Sequence, residues 1–330
     1  MSRYTLAATV LFMLACAGVS AAALKPLRIG VLQYGTVSWE IDVVKHHQLA
    51  EHEGVKLDVV PLSSTSALNV ALQSGDVDMV VGDWIWVSRQ RAARRYFTSV
   101  PYSTAVGGLL VQNTADIHSL ADLRGKRLGV AGGPVDKSWL LLRAYTEKTL
   151  GEDLADIVHP AYAAPPLLNE LALKGDLPAV LNYWQYAARL QAAGMRSLID
   201  INQILPRLGV NQTVPLLVWI FNQEWADKNR ELVTGFLRAT YAAKHILARS
   251  EAEWRRIKPL TGAENGTILR LLRDAYRQGI PQRFNQVDIK AAAKVFKILA
   301  RQGGSELVGP SNALSPGTFW QGFKIGSSVQ

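Results

Sequence analysis

The apolar positions of the chain fall into short unbroken runs and longer periodic ones. The runs at 27–32 (LRIGVL) and 55–60 read as buried strands. Between them a polar stretch at 33–38 leads into a helix opening at Trp39-Glu40-Ile41, with Ile41, Val44 and Leu49 on one face. Together they predict a β-α-β unit. The next stretch, residues 68–84 (LNVALQSGDVDMVVGDW), joins a helical apolar period, a Gly-Asp stop, a short apolar run and a Trp. It returns at 168–184 as LNELALKGDLPAVLNYW, with Gly75 and Gly175, Asp76 and Asp176, Val80 and Val180, Trp84 and Trp184 in register. Each copy predicts a helix, a glycine stop, a buried strand and an aromatic at the strand's C-terminal end, where open parallel sheets bind ligands. Two copies predict two α/β lobes facing each other, with an indole at each rim.

The remaining pattern supplies the connections. Ser63, Ser64, Thr65 and Ser66 precede the helix of the first copy; hydroxyls there cap it, and its free N–H groups suit a ligand oxygen. After the strand at 77–81 come Asp83, Trp84 and Trp86, then Arg89, Arg91, Arg94 and Arg95, which spread over more than one face, so that most of them read as solvated. A strand at 105–111 makes a first crossing between lobes. The second lobe continues with a capping-box pattern at Ser119 and Asp122, a strand at 127–130 and a Gly-Gly-Pro loop at 131–134. That loop opens a helix at 136–150; its glycine spacing matches neither a dinucleotide nor a nucleotide-phosphate loop. A helix at 186–193 ends at Gly194. Strands at 198–201 and 215–221 follow, with a second crossing between 210 and 221. Beyond Gln223 the chain reads as helical, at 231–248, 263–278 and 288–300, with Gly303 and Gly304 ending the last. A Gly/Ser/Pro-rich tail from Ser305 is expected to cover a surface. The division expected is 1–23 as a leader, 24–105 as the first part of lobe 1, and 106–212 as lobe 2. The return segment and C-terminal helices, 213–330, belong mainly to lobe 1.

Composition narrows the class. With 330 residues, 48% of them hydrophobic, the chain can fill two cores. The N-terminus carries Arg3, an apolar run to about Val19, then Ser20-Ala21-Ala22-Ala23, the charge, length and cleavage chemistry of a secretory signal peptide cut after Ala21 or Ala23. The sole cysteine, Cys16, lies inside it, and Met13-Leu14-Ala15 is a poor lipid-anchor signal. A mature chain without thiols is held by packing alone. The formal charge of +9, or +8 without Arg3, is scattered along helices rather than grouped beside stacking aromatics, which argues against nucleic acid. His46, His47 and His52 make a three-histidine metal site conceivable, but His46 and His47 are adjacent and expected to point apart on their helix, which favours solvated or packing histidines.

Several segments then resemble the periplasmic solute-binding proteins of ABC importers, in the nitrate/taurine/sulfonate group that includes binders of thiamine-precursor pyrimidines. They are LRIGVLQYG, ALQSGDVDMVVGDW, SLADLRGKRLGVAGG and LLVWIFNQEWADKNRELVTGFLRA, spread over about residues 27–305. The resemblance implies an α/β, two-lobe periplasmic binding protein fold of type II, its lobes joined by two crossovers. It implies ligand contacts from Gln33 and Trp39, from Ser63, Ser64 and Thr65, and from Asp83 and Trp84. In the second lobe it implies Pro134, Val135, Asp136, Lys137, Ser138 and Trp184. It also implies a small-molecule solute, a permease in the inner membrane, and a monomer without cofactor.

Enzyme chemistry has little support. There is no cysteine nucleophile in the mature chain, no Gly-x-Ser-x-Gly elbow and no His-Glu-x-x-His pattern. A related family of pyrimidine-synthesising proteins uses the same fold with a histidine and a Cys-rich motif, which this mature chain lacks. Asp83 and Asp136 are the only carboxylates placed to act as an acid–base pair across the cleft. Helix N-termini favour an anionic end on the solute, indoles an apolar or cationic body, and buried carboxylates a ligand ammonium or ring N–H. An organic solute with two polar poles is expected over a bare inorganic anion.

Overall fold

The computed structural model describes residues 24–33, 35–212 and 214–326; the expected leader, its cleavage site and Cys16 lie outside these. The first apolar run is β1 (Lys25–Leu32), followed by α1 (Val37–His46), α2 (Leu49–His52) and β2 (Val55–Leu62). The first copy of the repeated unit becomes α3 (Thr65–Ser74), β3 (Met79–Asp83) and the start of α4 (Trp84–Ala92), before β4 (Phe97–Ser103). The chain then crosses to β5 (Gly107–Val111), β6 (Arg127–Ala131), α5 (Lys137–Leu150), α6 (Leu154–Ile157) and β7 (His159–Ala163). The second copy is α7 (Pro165–Leu173), β8 (Ala179–Tyr183) and the start of α8 (Trp184–Ala192), before β9 (Arg196–Asp200) and α9 (Ile201–Ile204). After the second crossing come β10 (Leu217–Asn222), α10 (Gln223–Lys228), α11 (Arg230–Arg249), α12 (Glu251–Thr261), α13 (Gly266–Gln278) and α14 (Gln286–Val308).

Two five-stranded sheets result, ordered β2-β1-β3-β10-β4 and β7-β6-β8-β5-β9. In each, the first three strands are parallel and the fourth runs antiparallel to both neighbours. That fourth strand is the one arriving from a crossing: β5 in the second sheet and β10 in the first. This is the two-lobe α/β fold expected.

The repeated units superimpose in their details. Gly75 and Gly175 both adopt left-handed φ, 79° and 86°, and stop α3 and α7. Leu68 and Leu168 are buried over glycines of the neighbouring first strands. A Cβ on Gly30 would stand 3.0 Å from Leu68 Cδ2, and one on Gly129 2.9 Å from Leu168 Cδ2. The correspondence therefore reaches back to Arg28-Ile29-Gly30-Val31 and Arg127-Leu128-Gly129-Val130, a match too short to stand out in the sequence.

The glycine pair interrupts the last helix as expected: Gly303 packs against Leu140, Gly304 leaves helical geometry (φ 58°, ψ −162°), and a short second helical stretch within α14 continues to Val308. Two expectations are corrected. The tail does more than cover a surface: Thr318 O accepts from Ser99 Oγ at 2.7 Å, Ser99 O accepts from Trp320 N at 2.8 Å, and Phe319 and Trp320 are buried. It closes the open edge of β4. Finally, α1 stops at His46, so helical spacing does not govern His47, and the two imidazoles meet edge-on with centroids 4.8 Å apart.

The C-terminal helices link the lobes. α11 packs on α1 and α2, α12 on α1, α13 on α8, and α14 on both α4 and α5. Arg189 of α8 donates to Thr261 O (2.6 Å) and Gly262 O (3.0 Å), the free carbonyl end of α12. No helix among the described residues is long and apolar enough to cross a membrane.

Candidate functional site

Between the lobes lies a cavity of about 280 Å³. Lobe 1 contributes Gly35, Thr36 and Val37 at the start of α1, Thr65 of α3, and Val81, Gly82 and Asp83 at the end of β3. Lobe 2 contributes Asp136, Lys137 and Ser138 at the start of α5, and Tyr183, Trp184 and Gln185 at the start of α8. Ala105 and Val106 of the first crossing complete the wall. Strand ends and helix starts converge here because both sheets point their C-terminal edges into the cleft.

Helix starts leave backbone N–H groups without intrahelical partners, and side chains satisfy them unequally here. Asp83 Oδ1 accepts from Trp86 N at 2.9 Å, and Asp136 Oδ1 accepts from Ser138 N and Trp139 N at 2.9 and 3.2 Å. The N-cap residue of α8, Tyr183, makes no such bond, so this helix end presents partial positive charge to the cavity; at α1 Thr36 also makes none, but Ser38 N and Trp39 N donate to Gly35 O and Thr36 O.

Lys137 Nζ lies 3.1 Å from Asp83 Oδ2, an ion pair between the lobes. Burial pushes the Lys137 ammonium down, but Asp83 and Asp136 outweigh it and hold the pKa above the usual lysine value. Burial pushes the Asp136 carboxyl up; Lys137, the two backbone N–H groups and the Tyr183 hydroxyl offset this only in part. Tyr183 O–H donates to Asp136 Oδ2 at 3.3 Å, and burial beside that carboxylate raises its own pKa. With Asp83 on Lys137 and Asp136 capping α5, neither carboxylate of the candidate acid–base pair is free.

The three indoles separate. Trp184 lines the cavity, edge-on to Trp39 (centroids 5.9 Å, 85°). Trp39 is buried behind it, its N–H on Leu260 O at 3.2 Å and its ring 6.1 Å from Trp254. Trp84 is wholly buried and faces away from the cavity. Its N–H donates to Pro215 O at 2.7 Å, and its ring packs against Phe296 and Phe319. The expected aromatic rim at Trp84 is therefore part of the core, because the carbonyl of the second crossing takes its N–H.

Of the other expected residues, Thr65, Asp83, Asp136, Lys137 and Ser138 line the cavity. Gln33, Ser63, Ser64, Pro134 and Val135 do not. Gln33 is exposed at the end of β1, Ser64 caps α3 through Ala67 N (3.1 Å), and Pro134 and Val135 only lead into α5. Sequence reasoning missed Thr36, Tyr183 and Gln185. Tyr183 was findable, since it stands in register with Asp83 in the repeat.

Behind Trp184 lies a buried polar cluster that was also missed. Glu40 of α1 pairs with Lys244 of α11 and accepts from Tyr276 O–H at 2.8 Å, while Lys244 sits 3.9 Å from the Tyr102 ring centroid. Tyr276 in turn packs on Trp184 at 6.5 Å. The signal was Lys244 itself, a cation on the apolar stripe of Leu237, Thr240 and Tyr241.

A family model described as NMT1/THI5 like matches residues 51–251. The chain belongs to the NMT1/THI5-like family. Its structure is similar to the alkanesulfonate-binding protein SsuA from Xanthomonas axonopodis pv. citri bound to MOPS, at 20% identity over 91% of this chain and 99% of that one, TM-score 0.70. It is similar to the periplasmic aliphatic sulphonate-binding protein SsuA from Escherichia coli, at 23% identity over 91% and 93%, TM-score 0.70. A sulfonate-binding SsuA protein from Methylobacillus flagellatus KT matches at 14% identity over 85% and 88%, TM-score 0.65. At these identities the likeness is one of fold, and it places this NMT1/THI5-like chain among two-lobe periplasmic binding protein structures. No curated protein matches the sequence.

Proposed function

We propose that this chain is the solute-binding component of an ABC importer, exported to the periplasm. It captures a small organic anion or zwitterion, aminosulfonate- or pyrimidine-like, and delivers it to a permease in the inner membrane. One observation carries the reading: a cavity between the lobes joins the uncapped start of α8 to Asp83, Asp136 and Lys137, with Trp184 as its wall. The start of α8 suits an anionic group. Asp136, burdened by burial, suits a ligand N–H donor or ammonium. The Trp184 face suits a flat or apolar body. A bare nitrate would use only the first of these.

Capture follows from the two-lobe geometry. Asp83 and Lys137 belong to different lobes, so their pair forms only when the cleft is shut. A solute touching both walls adds to that contact and shifts the population toward closure. The chain has no nucleotide-phosphate loop, so the energy for transport belongs to the importer's ATPase.

Mass spectrometry of the natively purified protein tests the reading. The expected result is one small organic solute per chain, which rebinds to the emptied protein in calorimetry. Micromolar binding of nitrate, with no organic solute bound, would overturn the two-pole account. Genes for a permease and an ATPase beside this one separate an importer from a sensor.

A further inference from the structure

Outside the cleft, the seam between α1 and α12 brings together three side chains that are distant in the chain. His46 ends α1 and His47 is its C-cap, and their rings stand edge-on, 4.8 Å apart. Glu253, in the first turn of α12, directs its carboxylate at them, with Oε2 3.3 Å from His47 Nε2. One donor atom from each residue lies within 4.8 Å of the other two.

We propose that His46, His47 and Glu253 form a binding site for a first-row divalent cation, zinc above all. Two imidazoles and a carboxylate are a zinc donor set, whereas calcium and magnesium call for oxygen donors. The spacing fits. Zinc bonds of about 2.0–2.1 Å in a tetrahedron place neighbouring donors roughly 3.3–3.4 Å apart. The 3.3 Å between His47 Nε2 and Glu253 Oε2 already has that edge length. His46 is exposed and free to swing its ring inward, and water supplies the fourth position.

The surroundings point the same way. His47 Nε2 is buried and faces the Glu253 carboxylate. Glu253 Oε1 accepts from Arg256 Nε at 2.9 Å, which fixes the carboxylate and turns Oε2 toward the imidazoles, as outer partners of metal ligands do. Arg256 also pairs with Asp42, which offsets its charge at the site. The carbonyl end of α1 favours a cation. A bound zinc would tie α1 to α12, the helices that carry Trp39 and Trp254, and so brace the aromatic backing of Trp184.

The test is calorimetric titration of untagged, chelator-treated mature protein with zinc, and separately with magnesium. One zinc per chain is expected, without comparable magnesium binding. His46→Ala, at an exposed position, and His47→Ala should each weaken zinc binding at least about tenfold, with unchanged circular dichroism. Absence of saturable zinc uptake would overturn the proposal. So would uptake that survives both substitutions, or magnesium binding as tight as zinc.

Discussion

Trp84 and Trp184 hold the same place in two copies of one pattern, yet one is core and the other cavity wall. Periodicity ties a side chain to a register; its direction here depends on Pro215 O, 131 residues away, which no local pattern reveals. Trp84→Ala should therefore cost about 3–5 kcal/mol of stability by denaturant unfolding, with solute affinity in the folded protein little changed. Trp184→Ala should weaken solute binding at a smaller stability cost. The Glu40–Lys244 pair lends itself to a second comparison. Lys244→Met strands a buried carboxylate and should cost about 3–5 kcal/mol, most of it recovered in Glu40→Leu/Lys244→Met. Asp136 gives a pH prediction. Its folded-state pKa is raised, so its contribution to stability is full below the unfolded carboxylate value and is lost as pH rises through the folded value. Asp136→Asn keeps a capping oxygen and should flatten that decline in urea unfolding measured from about pH 4 to 7.

Among the elements, most boundaries were legible because glycine stops, hydroxyl or carboxylate caps and apolar runs agree locally. Asp136 capping α5 and Gly175 ending α7 are examples. The Gly303-Gly304 stop is another, since Gly304 leaves helical geometry and breaks α14. Failures came where tertiary contacts decide the outcome. α12 was not among the expected helices; its Pro259 sits in the last turn, near the helix end. Close packing at Gly30 and Gly129 was invisible for the same reason. Adding a methyl at either should cost about 1–3 kcal/mol, and Gly129→Ala, which would press on both Leu168 and Leu177, should show it in thermal or denaturant unfolding.

For the molecule as a whole, the two lobes were legible from the repeat, and the crossings from the strands that follow it. The way α13 and α14 straddle both lobes was not, because an amphipathic helix shows which face is apolar and not which lobe will cover it. That arrangement bears on function. The Asp83–Lys137 pair, the Arg189 bonds to the end of α12 and the Trp39–Trp184 contact all join the lobes in the closed form. Small-angle scattering with and without the co-purified solute tests this most directly. A fall in radius of gyration at saturation, to the value of the closed shape, is the expected result; an unchanged radius with the solute fully bound would contradict capture by closure of the two lobes.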